Sequence, residues 1–141
     1  MRRVFHPREA AVSQAKKTPA VRWLSAPQEH DYPAAASYLS LIARPERVDD
    51  LITKLRSAVS ATFKAKDILR AARLPLLGTD NPHVASDLAK IHAATPLSPI
   101  LIVRGDLAAD GRLEIADGYH RVCACYHADE NTDIPCLVVD R

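Results

Sequence analysis

The chain has 141 residues, of which 48% are hydrophobic, 26% charged and only 5% aromatic, with a formal net charge of +2. That suits one domain whose core is built from Leu, Ile, Val and Ala. No apolar run reaches the roughly 18 residues of a membrane span, and no apolar stretch follows the charged N-terminus as in a secretory signal. A cytoplasmic protein without membrane contact is expected.

Residues 1–32 are broken by Pro7, Pro19 and Pro27 and show no sustained period, which predicts an irregular arm with Trp23 and Leu24 as anchors. Residues 1–22 hold Arg2, Arg3, Arg8, Lys16, Lys17 and Arg22 against Glu9 alone. Such a basic arm could touch nucleic acid or be a solvated tail. Residues 33–58 predict a helical extension. Its first helix runs from Pro33 to about Ile42, with Asp31 near its start and Tyr38, Leu39 and Ile42 available for packing. Pro45 opens the second, and Val48, Leu51, Ile52 and Leu55 form its apolar stripe.

Residues 59–141 predict a mixed-sheet core. Val59 to Phe63 reads as a strand, Asp67 to Ala72 as a short helix, and Leu74 to Thr79 as a loop. Asn81 is a good N-cap with Pro82 behind it, starting a helix to about Ala93 that buries Val84, Leu88 and Ile91. Ile100 to Val103 is apolar throughout, as in a strand covered on both faces. Asp110-Gly111 signals a turn, Leu113 to Ala116 a strand, Tyr119 to Ala128 a helix and Ile134 to Val139 the last strand. From residue 59 the order is β-α-α-β-β-α-β, an α+β fold with helices packed on a mixed sheet.

The three cysteines, Cys123, Cys125 and Cys136, lack Cys-x-x-Cys spacing and read as core thiols. The six histidines form no metal-ligand pattern. Chemistry concentrates instead at Ile115-Ala116-Asp117-Gly118-Tyr119-His120-Arg121, where a strand ends at a glycine and passes directly into a helix. Helix starts expose unpaired N–H groups and a positive dipole end, glycine lets an anion approach, and arginine adds a planar cation. Phosphate suits that arrangement. The alternative is a turn whose glycine only relieves geometry, with His120 and Arg121 solvated.

This element order and these motifs resemble the ParB/sulfiredoxin-like superfamily. The likeness is carried by Pro99-Ile100-Leu101-Ile102-Val103, by Ile115-Ala116-Asp117, by Gly118-Tyr119-His120-Arg121 and by the closing Ile134-Pro135-Cys136-Leu137-Val138-Val139. It covers about residues 59–140. It implies that His120 and Arg121 hold nucleotide phosphates. It further implies that Thr79-Asp80-Asn81-Pro82-His83-Val84-Ala85-Ser86 brings His83 and Ser86 to the same ligand, with Lys90 one turn on. On a helix, His83, Ser86 and Lys90 fall within about a 60° sector away from Val84, Leu88 and Ile91. That sector faces either a nucleotide or solvent.

The chain departs from the resemblance at Tyr119, which occupies the place of the sulfiredoxin cysteine and of the glutamate usual in partition proteins. Sulfinic-acid repair is therefore not expected. Nor is site-specific partitioning, since no helix-turn-helix follows the last strand. Among the residues resembling the superfamily, Gly118, Tyr119, His120, Arg121, His83, Ser86, Lys90 and Asn81 are the candidate nucleotide contacts. Asp80 and Asp117 are the candidate catalytic carboxylates, with Asp67, Lys64 and Lys66 as further groups for phosphoryl transfer. The implied cofactor is ATP or another nucleotide, with or without magnesium. The candidate partners are a small-molecule acceptor and, covered by residues 33–58, a second copy of the chain. A nucleic-acid-associated protein and a non-catalytic interaction module are the alternatives.

Overall fold

In a computed structural model, residues 19–141 are described; most of the basic arm lies outside them. The elements run α1 (Asp31–Leu39), α2 (Pro45–Ser57), β1 (Ser60–Lys64), α3 (Ala65–Ala72), α4 (Pro82–His92), β2 (Ile100–Val103), β3 (Glu114–Asp117), α5 (Tyr119–Ala128) and β4 (Asp133–Val139). The sheet order is β1-β4-β2-β3. β4 enters between β1 and β2, antiparallel to the first and parallel to the second, and β3 closes the far edge antiparallel to β2.

Side chains alternate across a strand, so one continuously apolar strand feeds two cores. Ile100 and Ile102 of β2, with Ile134 and Cys136 of β4, face a cluster shared with α3, α4 and α5. Leu101 and Val103, with Leu137 and Val139, face a second cluster made with Leu39, Leu51 and Leu55 of α1 and α2. The helices of residues 33–58 thus form the layer that covers β4, β2 and β3 on one face of the sheet. Each fully buried Leu or Ile contributes about 1.5–3 kcal/mol, and without this layer the Leu101 face of β2 would stand in water.

Some boundaries differ from the sequence expectation. α1 starts at Asp31 and stops at Leu39, so Ile42 lies beyond it and is 56% exposed, and Tyr38 is also exposed; only Leu39 of the three expected packing residues is buried. Asp31 is buried inside the first turn, accepting from the Gln28 N–H at 3.0 Å and from the Ser98 hydroxyl. That carboxylate ties α1 to the start of β2. The segment before it is held as well: Leu24 N–H donates to the Leu97 carbonyl and Leu97 N–H to that of Arg22, both at 2.8 Å, with Trp23 bridged to Leu97. β1 runs Ser60–Lys64 and passes without a loop into α3.

Asn81 caps α4 as the sequence suggests, its side-chain oxygen accepting from the N–H groups of His83 at 2.9 Å and Val84 at 3.2 Å. Asn81→Ala is expected to lower stability by about 1 kcal/mol in urea unfolding, since two helix-start donors lose their acceptor. An unchanged midpoint would mean that water replaces the cap at no cost. All three cysteines are buried free thiols. Burial pushes Cys125 and Cys136 up to about 12 and also raises Cys123, so none is a ready nucleophile.

Candidate functional site

β3 delivers Asp117 to the end of its strand, and Gly118 turns the chain into α5 with φ 115°, a left-handed conformation that suits glycine. The packing there is also tight. A Cβ on Gly118 would stand 2.4 Å from Ile100 Cδ1 and 3.0 Å from a terminal guanidinium nitrogen of Arg121. Gly118 is therefore needed for both its φ and its missing side chain.

Arg121 sits one turn into α5 and folds back across this glycine. Its Nη2 donates to the Asp117 carboxylate at 2.8 Å and to the Pro99 carbonyl at 3.2 Å. Both side chains are mostly buried, at 17% and 16% exposure. The Arg121 Nε is buried with no hydrogen-bond partner among the described residues. Burial raises the Asp117 pKa, against the pull of Arg121.

α4 lies alongside and brings a second set of groups. The His83 ring lies 4.8 Å from that of His120, centroid to centroid. Asp87, one turn after His83, is mostly buried, and its pKa is raised by desolvation against the attraction of Lys90, Arg121, His120 and His83. Lys90 stands 3.9 Å from the Asp87 carboxylate. Asp87 thus marks the point where both helices converge. Sequence reasoning missed it, although it is one turn from His83 and three residues before Lys90, on the same helical sector.

The other candidates are placed differently. Ser86 is exposed on α4 and makes no side-chain hydrogen bond among the described residues. Asn81 spends its side-chain oxygen on the cap. Asp80 is exposed in the loop before α4, beside Gly78, with no hydrogen bond or ion pair to the Asp87 cluster. Tyr119 donates its hydroxyl to the Pro75 carbonyl at 2.6 Å, and His127 Nε2 lies 2.7 Å from the Leu77 carbonyl. These two contacts strap the 74–80 loop along α5 and so fix where α4 begins. Where the resemblance places a reactive side chain, this chain has a tether. Asp67 pairs with Arg70 and Lys64 with Asp133, in surface contacts of 3.3 and 3.6 Å.

Beside Gly118 a cleft of about 480 Å³ follows the free edge of β3, with Tyr38, Leu74, Glu114, Tyr119 and His120 among its walls. Tyr38 donates to Glu114 across it, and burial together with that bond holds the phenol up at about 12. No group of three or more His, Cys, Asp or Glu among the described residues is arranged to hold a metal ion, and no helix among them is long and apolar enough to cross a membrane. Comparison with protein-family models, with curated proteins and with solved structures gives no match.

The cluster's charges nearly cancel. Lys90 and Arg121 are opposed by Asp87 and Asp117, which leaves the two imidazoles and the start of α5 to set the sign of the potential. Burial lowers the His120 pKa below 6.5, and the neighbouring His83 lowers it further. A histidine depressed in this way contributes stability above its unfolded value and loses it as pH falls through the folded one.

Proposed function

We propose that the junction of α4 and α5 binds a phosphate group of a nucleotide, in a site of ParB/sulfiredoxin-like type. His120 and Arg121 would hold the phosphate at the Gly118 helix start, with His83 and Lys90 reaching it from α4. The observation that supports this reading best is the meeting of these four nitrogen side chains from two helices beside a glycine that cannot carry a side chain. The 480 Å³ cleft lies within the roughly 300–1,000 Å³ range of small-molecule sites and offers room for the rest of the ligand.

Calorimetry with ATP, ADP, CTP and GTP at low salt, with and without magnesium, tests the proposal. Wild type is expected to bind at least one of them, and His83→Ala/Lys90→Ala is expected to weaken that binding by about tenfold or more. A folded wild type that binds none overturns the assignment.

Charge balance makes the pH dependence diagnostic. A bound phosphate favours the imidazolium form, so affinity is expected to rise as pH falls from about 8 to about 6, as His120 takes up a proton. His120→Gln should flatten the rise. Without ligand, the protein should lose stability over the acidic end of that range, and His120→Gln should lessen the loss. An affinity indifferent to pH in wild type would remove the imidazoles from the site.

A further inference from the structure

A different cavity lies at the other end of the sheet. β2 and β4 run parallel and end at Val103 and Val139, whereas Asp117 pairs with Leu101 near the start of β2. Open sheets take ligands beyond the carboxyl ends of their parallel strands. There, on the α3 side, a cavity of about 260 Å³ is walled by Phe63, Ile68, Ile102 and Val138 and bordered by Asp67 and Arg104.

The mouth of this cavity is stitched in place. Arg104 N–H donates to the Val139 carbonyl at 2.7 Å, Gly111 N–H to that of Asp106 at 2.8 Å and Leu113 N–H to that of Ala71 at 3.2 Å. The Arg73 guanidinium donates to the Asp110 carbonyl. Backbones meet so closely that a Cβ on Gly105 would lie 2.2 Å from the Gly111 carbonyl oxygen. The connection from β2 to β3 is therefore tied to itself, to β4 and to α3, and the cavity is preformed.

Its volume falls below the roughly 300 Å³ from which drug-sized pockets begin, so it suits a compact metabolite better than a nucleotide. Its walls ask for an apolar body, and its border offers one carboxylate and one guanidinium. Asp67 pairs with Arg70 at 3.3 Å and Arg104 with Asp140 at 2.9 Å, both across solvent-exposed surface. Exposed pairs of this kind are worth about 0–1 kcal/mol, so a ligand's charges can replace these partners.

We propose that this cavity binds a free α-amino acid with an apolar side chain. The side chain lies among Ile68, Ile102 and Val138, the carboxylate on Arg104 and the ammonium on Asp67. The site is independent of the phosphate reading, since none of the proposed phosphate contacts lines it and the two cavities meet only at Leu113.

The test is calorimetry on the full chain with leucine and phenylalanine, against glycine, isocaproate (leucine without its ammonium) and isoamylamine (leucine without its carboxylate). Leucine or phenylalanine is expected to bind, glycine to show no binding, and each one-headed analogue to bind about tenfold or more weakly. Arg104→Gln should weaken leucine and isocaproate and leave isoamylamine unchanged. Ala71→Leu, which fills the cavity from an exposed position on α3, should abolish binding while the protein stays folded. A folded wild type that binds neither amino acid overturns the proposal. So does isocaproate or isoamylamine binding as tightly as leucine, or leucine binding unchanged in Ala71→Leu.

Discussion

Replacing Gly118 with alanine is expected to destabilise the protein by about 2–4 kcal/mol. Two costs combine: a left-handed φ of 115° for a residue with a Cβ, at about 1–3 kcal/mol, and a 2.4 Å approach to Ile100 Cδ1, where overpacking costs typically about 1–3 kcal/mol. The two can be separated. Ile100→Val removes the clashing methyl and alone should cost about 0.5–1.5 kcal/mol. In the double variant the 2.4 Å contact is gone, while the φ strain and the 3.0 Å approach to Arg121 remain, so its loss should fall short of the sum of the singles by about 1 kcal/mol. Urea unfolding of the four proteins gives this cycle directly. Simple additivity would mean that Ile100 turns away without cost and that strain alone requires glycine here.

Arg121→Ala is expected to lower stability by about 1–3 kcal/mol and to weaken nucleotide binding by about tenfold or more. The stability loss follows from Asp117, which keeps most of its burial but loses its one cationic hydrogen-bond partner among the described residues. Burial already raises the Asp117 pKa, and removing Arg121 removes the main opposing influence. A carboxylate with a raised folded pKa is most favourable below its unfolded value and costs stability as pH rises through the folded one. The gap between variant and wild type should therefore be wide at neutral pH and close towards about pH 4. Arg121→Met/Asp117→Asn removes the orphaned charge and should recover much of the stability without recovering binding. If the double variant binds nucleotide as wild type does, the Arg121–Asp117 pair is structural only.

Much of this fold could be read from the chain because its signals were local. Pro45, Asn81-Pro82 and Gly118 mark helix starts, and the apolar run Ile100–Val103 announced a strand covered on both sides. What covers its second face was not legible, because nothing local says that the stripe of Val48, Leu51 and Leu55 meets Leu101 and Val103. Nor was the insertion of β4 between β1 and β2, since apolar patterning fixes which face of a strand is buried and leaves its neighbours open. α1 ends earlier than its alanine-rich sequence suggests, which leaves Ile42 beyond the helix, on the wall of the β3 cleft with Tyr38.

The candidate site divides along the same line. Spacing along α4 put His83 and Lys90 on one sector, and their approach to His120 and Arg121 depends on how α4 packs on α5. The burial of Asp87 has no local signal, because a carboxylate on an amphipathic helix normally points to water; it comes from that packing. Asp117 stands at a strand end that suggests a catalytic carboxylate, and its bond to Arg121 depends on a side-chain conformation that the sequence does not display. Tyr119 was the departure most visible in the sequence, and its tether to Pro75 is a contact across 44 positions.

The most direct measurement of the phosphate assignment is a two-dimensional NMR titration of the isotope-labelled protein with ATP at low salt, repeated with inorganic triphosphate. The expected result is saturable shifts of the Gly118, Tyr119, His120 and Arg121 backbone amides and of the His83 ring, in common between the two ligands. Shifts confined to other residues, or none with ATP at millimolar concentration, would contradict the account.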